Sequence, residues 1–422
     1  GLMVGLAACR GFFGQAPIAL LTIASLVDEE VPVEITCDIS GSNDPDGTIA
    51  SYEVAYGDDS THDTGTDVTD VLTHEYTVEG TYNVILTITD NDGRIAMDTE
   101  TVTIGTVMIA FASDRSGTYG IYRMQGDGSN EVAVRDTADN EFFPDLVRGT
   151  RGKIAYAAED GTSWNIYSMT VDGTNNTKLT TQTPSNQIQP SWSYDGGKIA
   201  YASNAAQTPS TTTWEIYTMT ATGATPFKLT TQSPSWAIAP AYSPVNGDLV
   251  FVSGVKHDGT ATDGGSAIIK RTATGTFSTL YDSTGNDGDA SVAVAGFAPT
   301  LALPAGAGIS KPAWSLDGTK IAFSTDKDGG VINIYVMNAD GSGVQTLEAY
   351  VNSLPAVTTT VTAGSITSTD DECCPYWLED GSGLAFAKEV GGVANLYKVS
   401  FTDGSVTKLT ETGNNVTPAA RR

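Results

Sequence analysis

The chain is 422 residues long and sets 22 Lys and Arg against 50 Asp and Glu, a formal net charge of -28. Only 17% of its residues are charged, so the excess reflects scarce bases rather than acidic runs, and the composition is not that of a disordered acidic tail. Such a field repels phosphate backbones and excludes nucleic acid as a partner, while the length allows two or three domains with a large buried core.

The N-terminus reads Gly1-Leu-Met-Val-Gly-Leu-Ala-Ala-Cys9. An apolar run ending in Leu6-Ala7-Ala8-Cys9 resembles a bacterial lipobox, in which the signal is cut before a cysteine that takes a lipid. Two readings stand: residues 1–14 are the remnant of an export signal with Cys9 as the lipidation site, or they form a retained apolar arm covered by a neighbouring subunit. Pro17 and the shortness of the run exclude a transmembrane helix here, so the only membrane contact expected is a lipid on Cys9.

Residues 15–105 read as a small β-sandwich. The run Thr81 to Thr89 alternates apolar and polar side chains at the period of a strand, and turns rich in Asp, Asn and Gly follow at regular spacing: 42–47, 56–59 and 90–93. Asp44, Asp46, Asp90 and Asp92 in these turns are the candidate ligands for a Ca²⁺ ion, the one cofactor considered. The loops lack an EF-hand ligand series, which favours turn capping as their role. The segments Ser42-Asn-Asp-Pro-Asp-Gly47, Tyr56-Gly-Asp58 and Thr73-His-Glu-Tyr-Thr-Val-Glu-Gly80 resemble the polycystic-kidney-disease-type (PKD) domain. That resemblance implies an extracellular spacer or adhesion unit without catalytic activity, and makes His74 structural. Where the family usually carries a Trp, this chain has Val54, which leaves the core packing there to be established.

From residue 106 to 422 one pattern recurs. Ile109-Ala-Phe, Ile154-Ala-Tyr, Ile199-Ala-Tyr, Leu249-Val-Phe, Ile321-Ala-Phe and Leu384-Ala-Phe are each followed by a second apolar pair, and the first triplets lie about 45–50 residues apart, the size of a four-stranded propeller blade. Alternating large and small side chains suit a sheet packed on both faces. The units Pro312-Ala-Trp-Ser-Leu-Asp-Gly-Thr-Lys-Ile-Ala-Phe323 and Asn333-Ile-Tyr-Val-Met-Asn-Ala-Asp-Gly341 resemble the propeller repeat of TolB-like proteins. The Pro-x-Trp element recurs at Pro190 and Trp192, where Pro190 is expected to stop the previous ladder, and softens to Pro240 and Tyr242, Pro375 and Trp377, and Pro144 alone. It is missing before Ile109, while Val416-Thr-Pro-Ala-Ala420 follows the last unit. The expected architecture is therefore all-β: an Ig-like, PKD-type β-sandwich followed by a six-bladed β-propeller closed by its C-terminal strand.

Cysteines number four, Cys9, Cys37, Cys373 and Cys374, with no CxxC spacing or nearby His, so zinc is excluded. Cys373 and Cys374 are the disulfide candidates; they bond to each other, pair elsewhere, or stay as buried thiols. Long insertions at 282–310 and 348–372 are expected on loops. Trp164, Trp214 and Trp236 stand outside the repeat and are candidates for an exposed rim. No catalytic constellation, P-loop, HExxH or nucleophile elbow appears. The reading is a non-enzymatic, exported, extracellular or cell-surface scaffold that self-associates, in its sharpest form as a filament through residues 1–14. The alternative is a cell-envelope binding or adhesion module that recruits a protein or glycan through the propeller face, as the TolB resemblance implies for protein partners.

Overall fold

The computed structural model describes residues 14–23, 33–77, 80–104, 107–147, 152–181, 185–204, 214–231, 236–260, 266–282, 311–325, 331–357, 371–378 and 380–421. The apolar arm with Cys9, and most of both insertions, lie outside the described residues. The chain divides into two compact units, Gly1–Thr106 and Val107–Arg422.

In the first unit, Thr22–Ile23, Val33–Asp38 and Leu72–Tyr76 form one sheet, and Asp63–Gly65, Ile49–Ala55, Gly80–Asp90 and Ile95–Ile104 form a second. Alternation sets the faces. Val33, Ile35 and Cys37 from one sheet and Val84, Leu86 and Ile88 from the other are fully buried in a single core. Val54 occupies that core where the family has Trp, and aromatics beside it fill the remaining space. Tyr56 stacks on His74 with centroids 4.0 Å apart, His74 meets Tyr76 edge-on at 4.7 Å, and Tyr76 stacks on Tyr82 at 4.4 Å. His74 also bonds Asp58 at 2.8 Å, and the Tyr76 hydroxyl donates to the Tyr56 carbonyl at 2.8 Å, so this histidine is part of the packing.

The second unit holds six four-stranded sheets among the described residues. Blade 1 is ordered Val132–Arg135, Gly120–Gln125, Met108–Ser113, Asn415–Arg421. Blades 2 to 6 begin at their innermost strands Glu141–Leu146, Gln187–Trp192, Ala237–Tyr242, Ala313–Trp314 and Glu372–Trp377. In blade 1 the innermost strand comes from the C-terminus: Asn415 faces Ser113, Val416 faces Ala112, and Ala419 faces Ala110. The Ile-Ala-aromatic triplets lie on the second strands. Ile109, Ala110 and Phe111, like Ile154, Ala155 and Tyr156, are 0% exposed, because these strands are covered on both faces by neighbouring blades.

Two devices hold blade to blade. Indole N–H groups of Trp314 and Trp377 donate to the Ala241 and Ala313 carbonyls of the preceding blades at 3.1 and 3.0 Å. Asp-Gly or Thr-Gly turns also press on the outer strand of the blade before. Gly341, at φ +88°, stands where a Cβ would lie 2.4 Å from the Leu280 carbonyl oxygen, and Gly223, at φ +80°, would meet that of Leu179 at 2.5 Å. Only glycine serves at these two contacts.

Three sequence expectations are corrected here. Pro144, Pro190, Pro240 and Pro375 do not stop a ladder; they lie inside the innermost strands, at bulges. Trp164 and Trp214 are 2% and 0% exposed and belong to the core, with Trp236 packed against it, so they form no exposed rim. The described start of the second insertion is a helix, Leu347–Asn352, capped by the Thr346 hydroxyl and buried through Leu347 and Val351 against Trp377, Leu384 and Phe386.

Candidate functional site

Every described bulge of the innermost strands follows one rule. The ladder slips between Phe142 and Asp145, Ile188 and Ser191, Ile238 and Ala241, Cys373 and Tyr376, and Val416 and Ala419. The residue before each proline, Phe143, Gln189, Ala239, Cys374 and Thr417, has φ between +49° and +58°. A proline has no N–H to lose from the ladder, and a bulge tolerates the left-handed residue beside it. The strand therefore bends, and the residues after the proline line the axis of the ring.

The result is a central funnel built by all six blades. Thr417 and Pro418 come from blade 1, Phe143 to Leu146 from blade 2, and Ser191 to Tyr194 from blade 3. Ala241 to Pro244 come from blade 4, Lys311 to Trp314 from blade 5, and Cys374 to Tyr376 from blade 6. Prolines and aromatic rings dominate the wall. Tyr194 is 47% exposed, whereas Trp192 and Trp314 are each 6% exposed.

One charged pair crosses this space. The Lys311 ammonium group donates to the Pro190 carbonyl at 2.7 Å and to Asp145 Oδ1 at 3.3 Å, reaching from blade 5 to blades 2 and 3 on the far side of the ring. The other Asp145 oxygen accepts from the Trp192 backbone N–H at 2.7 Å. Both side chains are largely buried, at 17% and 9% exposure, so pairing is what makes either charge tolerable there. Nearby, Ser191 Oγ accepts from the Tyr242 N–H at 3.1 Å, and Gln189 Oε1 from the Ala239 N–H at 2.9 Å. Gln189 Nε2 and Thr417 Oγ1 are buried without a hydrogen-bond partner among the described residues.

The candidate calcium carboxylates are otherwise engaged. Asp90 Oδ1 accepts the backbone N–H groups of Asp92 and Arg94 at 2.8 and 2.7 Å, and these bonds with the Arg94 guanidinium hold its carboxyl below the usual range against its own burial. Asp92 pairs with Arg94 at 2.6 Å. Asp46 Oδ2 caps the Gln15 N–H at 2.9 Å, and Asp44 Oδ1 lies 3.3 Å from the Asp46 N–H. The structure thus brings Asp90 and Asp92 onto one arginine rather than turning the four carboxylates toward one point. Among the described residues no group of three or more His, Cys, Asp or Glu is arranged to hold a metal.

The histidines lie elsewhere than the funnel: His62 bonds Glu53 at 2.6 Å, His74 sits in the first-unit core, and His257 bonds Thr279 at 2.8 Å. No nucleophile–histidine arrangement therefore lines the funnel among the described residues. Cys373 and Cys374 lie side by side in the innermost strand of blade 6, both buried, with Cys374 on the funnel wall. Lys311 and Asp145 were missed by sequence reasoning. The available signal was a lysine where the repeat has no charge, directly before the proline of its own blade.

Comparisons agree with this architecture. Residues 14–104 match the PKD domain family model. No curated protein matches in sequence. Among solved structures, TolB from Acinetobacter baumannii is similar at TM-score 0.54 and 17% identity, over 82% of this chain and 81% of that one. A chain of the nidogen/laminin complex is similar at TM-score 0.50 and 10% identity, over 74% of this chain and 98% of that one. Hydrazine synthase of Kuenenia stuttgartiensis is similar at TM-score 0.51 and 13% identity, over 75% of this chain and 46% of that one. Among the described residues no helix is long and apolar enough to cross a membrane. The chain joins a PKD domain, residues 14–104, to a β-propeller of TolB-like fold.

Proposed function

We propose that the protein is a non-enzymatic interaction module of the extracellular space or cell envelope, which binds a protein partner at the mouth of its propeller funnel. The PKD unit acts as its spacer. The observation that carries this reading is the funnel itself: aromatic and proline side chains from six blades converge on one concavity with a neutralised charge pair across it. A protein segment fits better than a glycan. The two tryptophans of the wall, Trp192 and Trp314, are nearly covered, and the Trp314 indole N–H already donates to Ala241, so neither offers a sugar-stacking face and Tyr194 is left as the exposed ring. One of the similar structures is itself a complex of two proteins, nidogen and laminin.

Peptides selected from a display library on the full chain provide the test, with affinity measured by calorimetry. Tyr194→Ala combined with Tyr376→Ala is expected to weaken such binders about 10- to 100-fold, the range of a few lost hot-spot contacts. Binders indifferent to both substitutions, or a library that yields none, overturn the reading.

A second reading, self-association, is favoured by one feature of the first unit. Ile95–Ile104 is an edge strand of its sheet, and Ile95 and Met97 on it are 60% and 65% exposed. The finer form, a filament built through residues 1–14, has its carrier outside the described residues. Electron microscopy of the full chain against one lacking residues 1–14 tests it: polymers that vanish with the arm support assembly, and monodisperse particles from both sink it.

A further inference from the structure

Neighbouring cysteines on a regular strand point to opposite faces, and their Cα atoms lie about 3.8 Å apart, closer than the 4.4–6.8 Å of an ordinary disulfide. A bond between them needs backbone that turns both side chains the same way. Blade 6 has such backbone. The ladder slips between Cys373 and Tyr376, Cys374 stands at φ +58° before Pro375, and the two sulfurs meet at 2.8 Å. The cysteines do not create this turn. Phe143, Gln189, Ala239 and Thr417 adopt it in four other blades with no sulfur present, so the fold imposes it.

We propose that Cys373 and Cys374 are an oxidisable pair, a covalent-modification site in the funnel wall that closes to a vicinal disulfide by exchange with a low-molecular-weight disulfide. Cys374, which lines the funnel, attacks first as its thiolate, forming a mixed disulfide and releasing one small thiolate. The Cys373 thiolate then attacks Cys374 Sγ and displaces the second. One S–S bond forms in the protein and one breaks in the oxidant. Two electrons pass to the oxidant, and the two protons lost by the cysteines end on its two thiols. Its hydrogen bond with Cys374, then burial and the carboxylates of Asp371 and Glu389, push the Cys373 thiol well above its ordinary range, so the closing attack is slow. The third described cysteine, Cys37, is a thiol in the first-unit core and serves as an internal reference.

The full chain is incubated with oxidised glutathione, denatured, alkylated and digested, with and without a reducing step. The expected result is that the peptide holding Cys373 and Cys374 is lighter by two hydrogens and resists alkylation about tenfold more than Cys37 until reduced. Cys373→Ala is expected to retain glutathione on Cys374, because no second thiol remains to displace it. Alkylation of both cysteines without reduction overturns the proposal. So does a bond from either one to Cys9, Cys37 or a second chain, or a stable glutathione adduct on the native pair. Should Cys373→Ala fail to fold, the native chain's mass alone still decides between these outcomes. Failure here leaves the interaction reading intact, since peptide binding is measured separately.

Discussion

At the turns, one short acidic motif returns again and again. Asp followed by Gly and then Ser or Thr recurs at Asp127, Asp172, Asp258, Asp317, Asp340 and Asp403, and each aspartate accepts from the backbone N–H two residues on. Hydroxyl and N–H donors hold these carboxyls down; Asp172, through Thr170 and Thr174, and Asp403, through Ser405 and Ser400, fall to about 2. Their folded pKa lies below the unfolded value, so the stability they add is present above about pH 4 and is lost as pH falls toward 2. Thermal unfolding followed from pH 5 to pH 2 is expected to show a steep drop in midpoint. The drop becomes shallower in the double variant Asp172→Asn, Asp403→Asn, which keeps the caps without the charge. Removal of calcium by a chelator is expected to leave the midpoint unchanged at pH 7, because Arg94 and backbone N–H groups already serve the turns at Asp90 and Asp92; a fall on chelation, restored by added Ca²⁺, would establish a site. In the funnel, Lys311→Met takes the ammonium group away from the buried Asp145 carboxylate, and urea unfolding is expected to report a loss of about 1–3 kcal/mol.

At the level of single elements, the described part of the second insertion is structural. Val351 is 0% exposed, and Tyr350 meets Trp377 and Phe401 edge-on at 5.7 Å each, closing the space beside blade 6. Val351→Ala is expected to cost roughly 1–3 kcal/mol, read from the denaturant midpoint with an unchanged slope. The turn at Gly341 is expected to be as sensitive: Gly341→Ala combines a strained φ with a clash against a backbone carbonyl that cannot swing away, at about 1–3 kcal/mol. The sequence showed the repeat because a strand covered on both faces leaves an unbroken apolar triplet such as Ile109-Ala-Phe in every unit. Tertiary packing leaves none, so nothing in Leu347 to Asn352 announced a helix docked on blade 6. The proline bulges were equally silent, since proline before an aromatic reads first as a strand stop. Lys311 belongs to the same class, because its meaning depends on Asp145 and Pro190, far away in the chain and reached only once the ring exists.

At the scale of the whole molecule, fold and function were unequally legible. The PKD-type sandwich and the propeller followed from spacing and motifs. The funnel did not, because no single repeat contains it and each contributes only a bend. Closure of the ring is its own test. The Arg115 guanidinium donates to the Asn415 side chain at 2.8 Å, and the Asn414 side chain to Asp114 at 2.8 Å, across 300 residues of sequence. Deleting residues 413–422 strips blade 1 of its innermost strand, exposes the edge of Met108–Ser113 and removes the wall formed by Thr417 and Pro418. A lower thermal midpoint for the propeller and loss of the funnel binders are expected together. An unchanged midpoint would mean the strand only decorates the ring.

That seam also carries a cost in time. Joining segments some 300 residues apart costs about 5 kcal/mol of loop-closure entropy if made first, so the seam is favoured only after the intervening blades have shortened the effective loop. On the ribosome, Met108–Ser113 emerges early and waits with an unpaired edge until residues 415–421 are made, through the synthesis of five blades. Blade 1 is thus the first begun and the last completed, and the interval between those events is when the chain is most open to capture by a chaperone or by another unfinished copy.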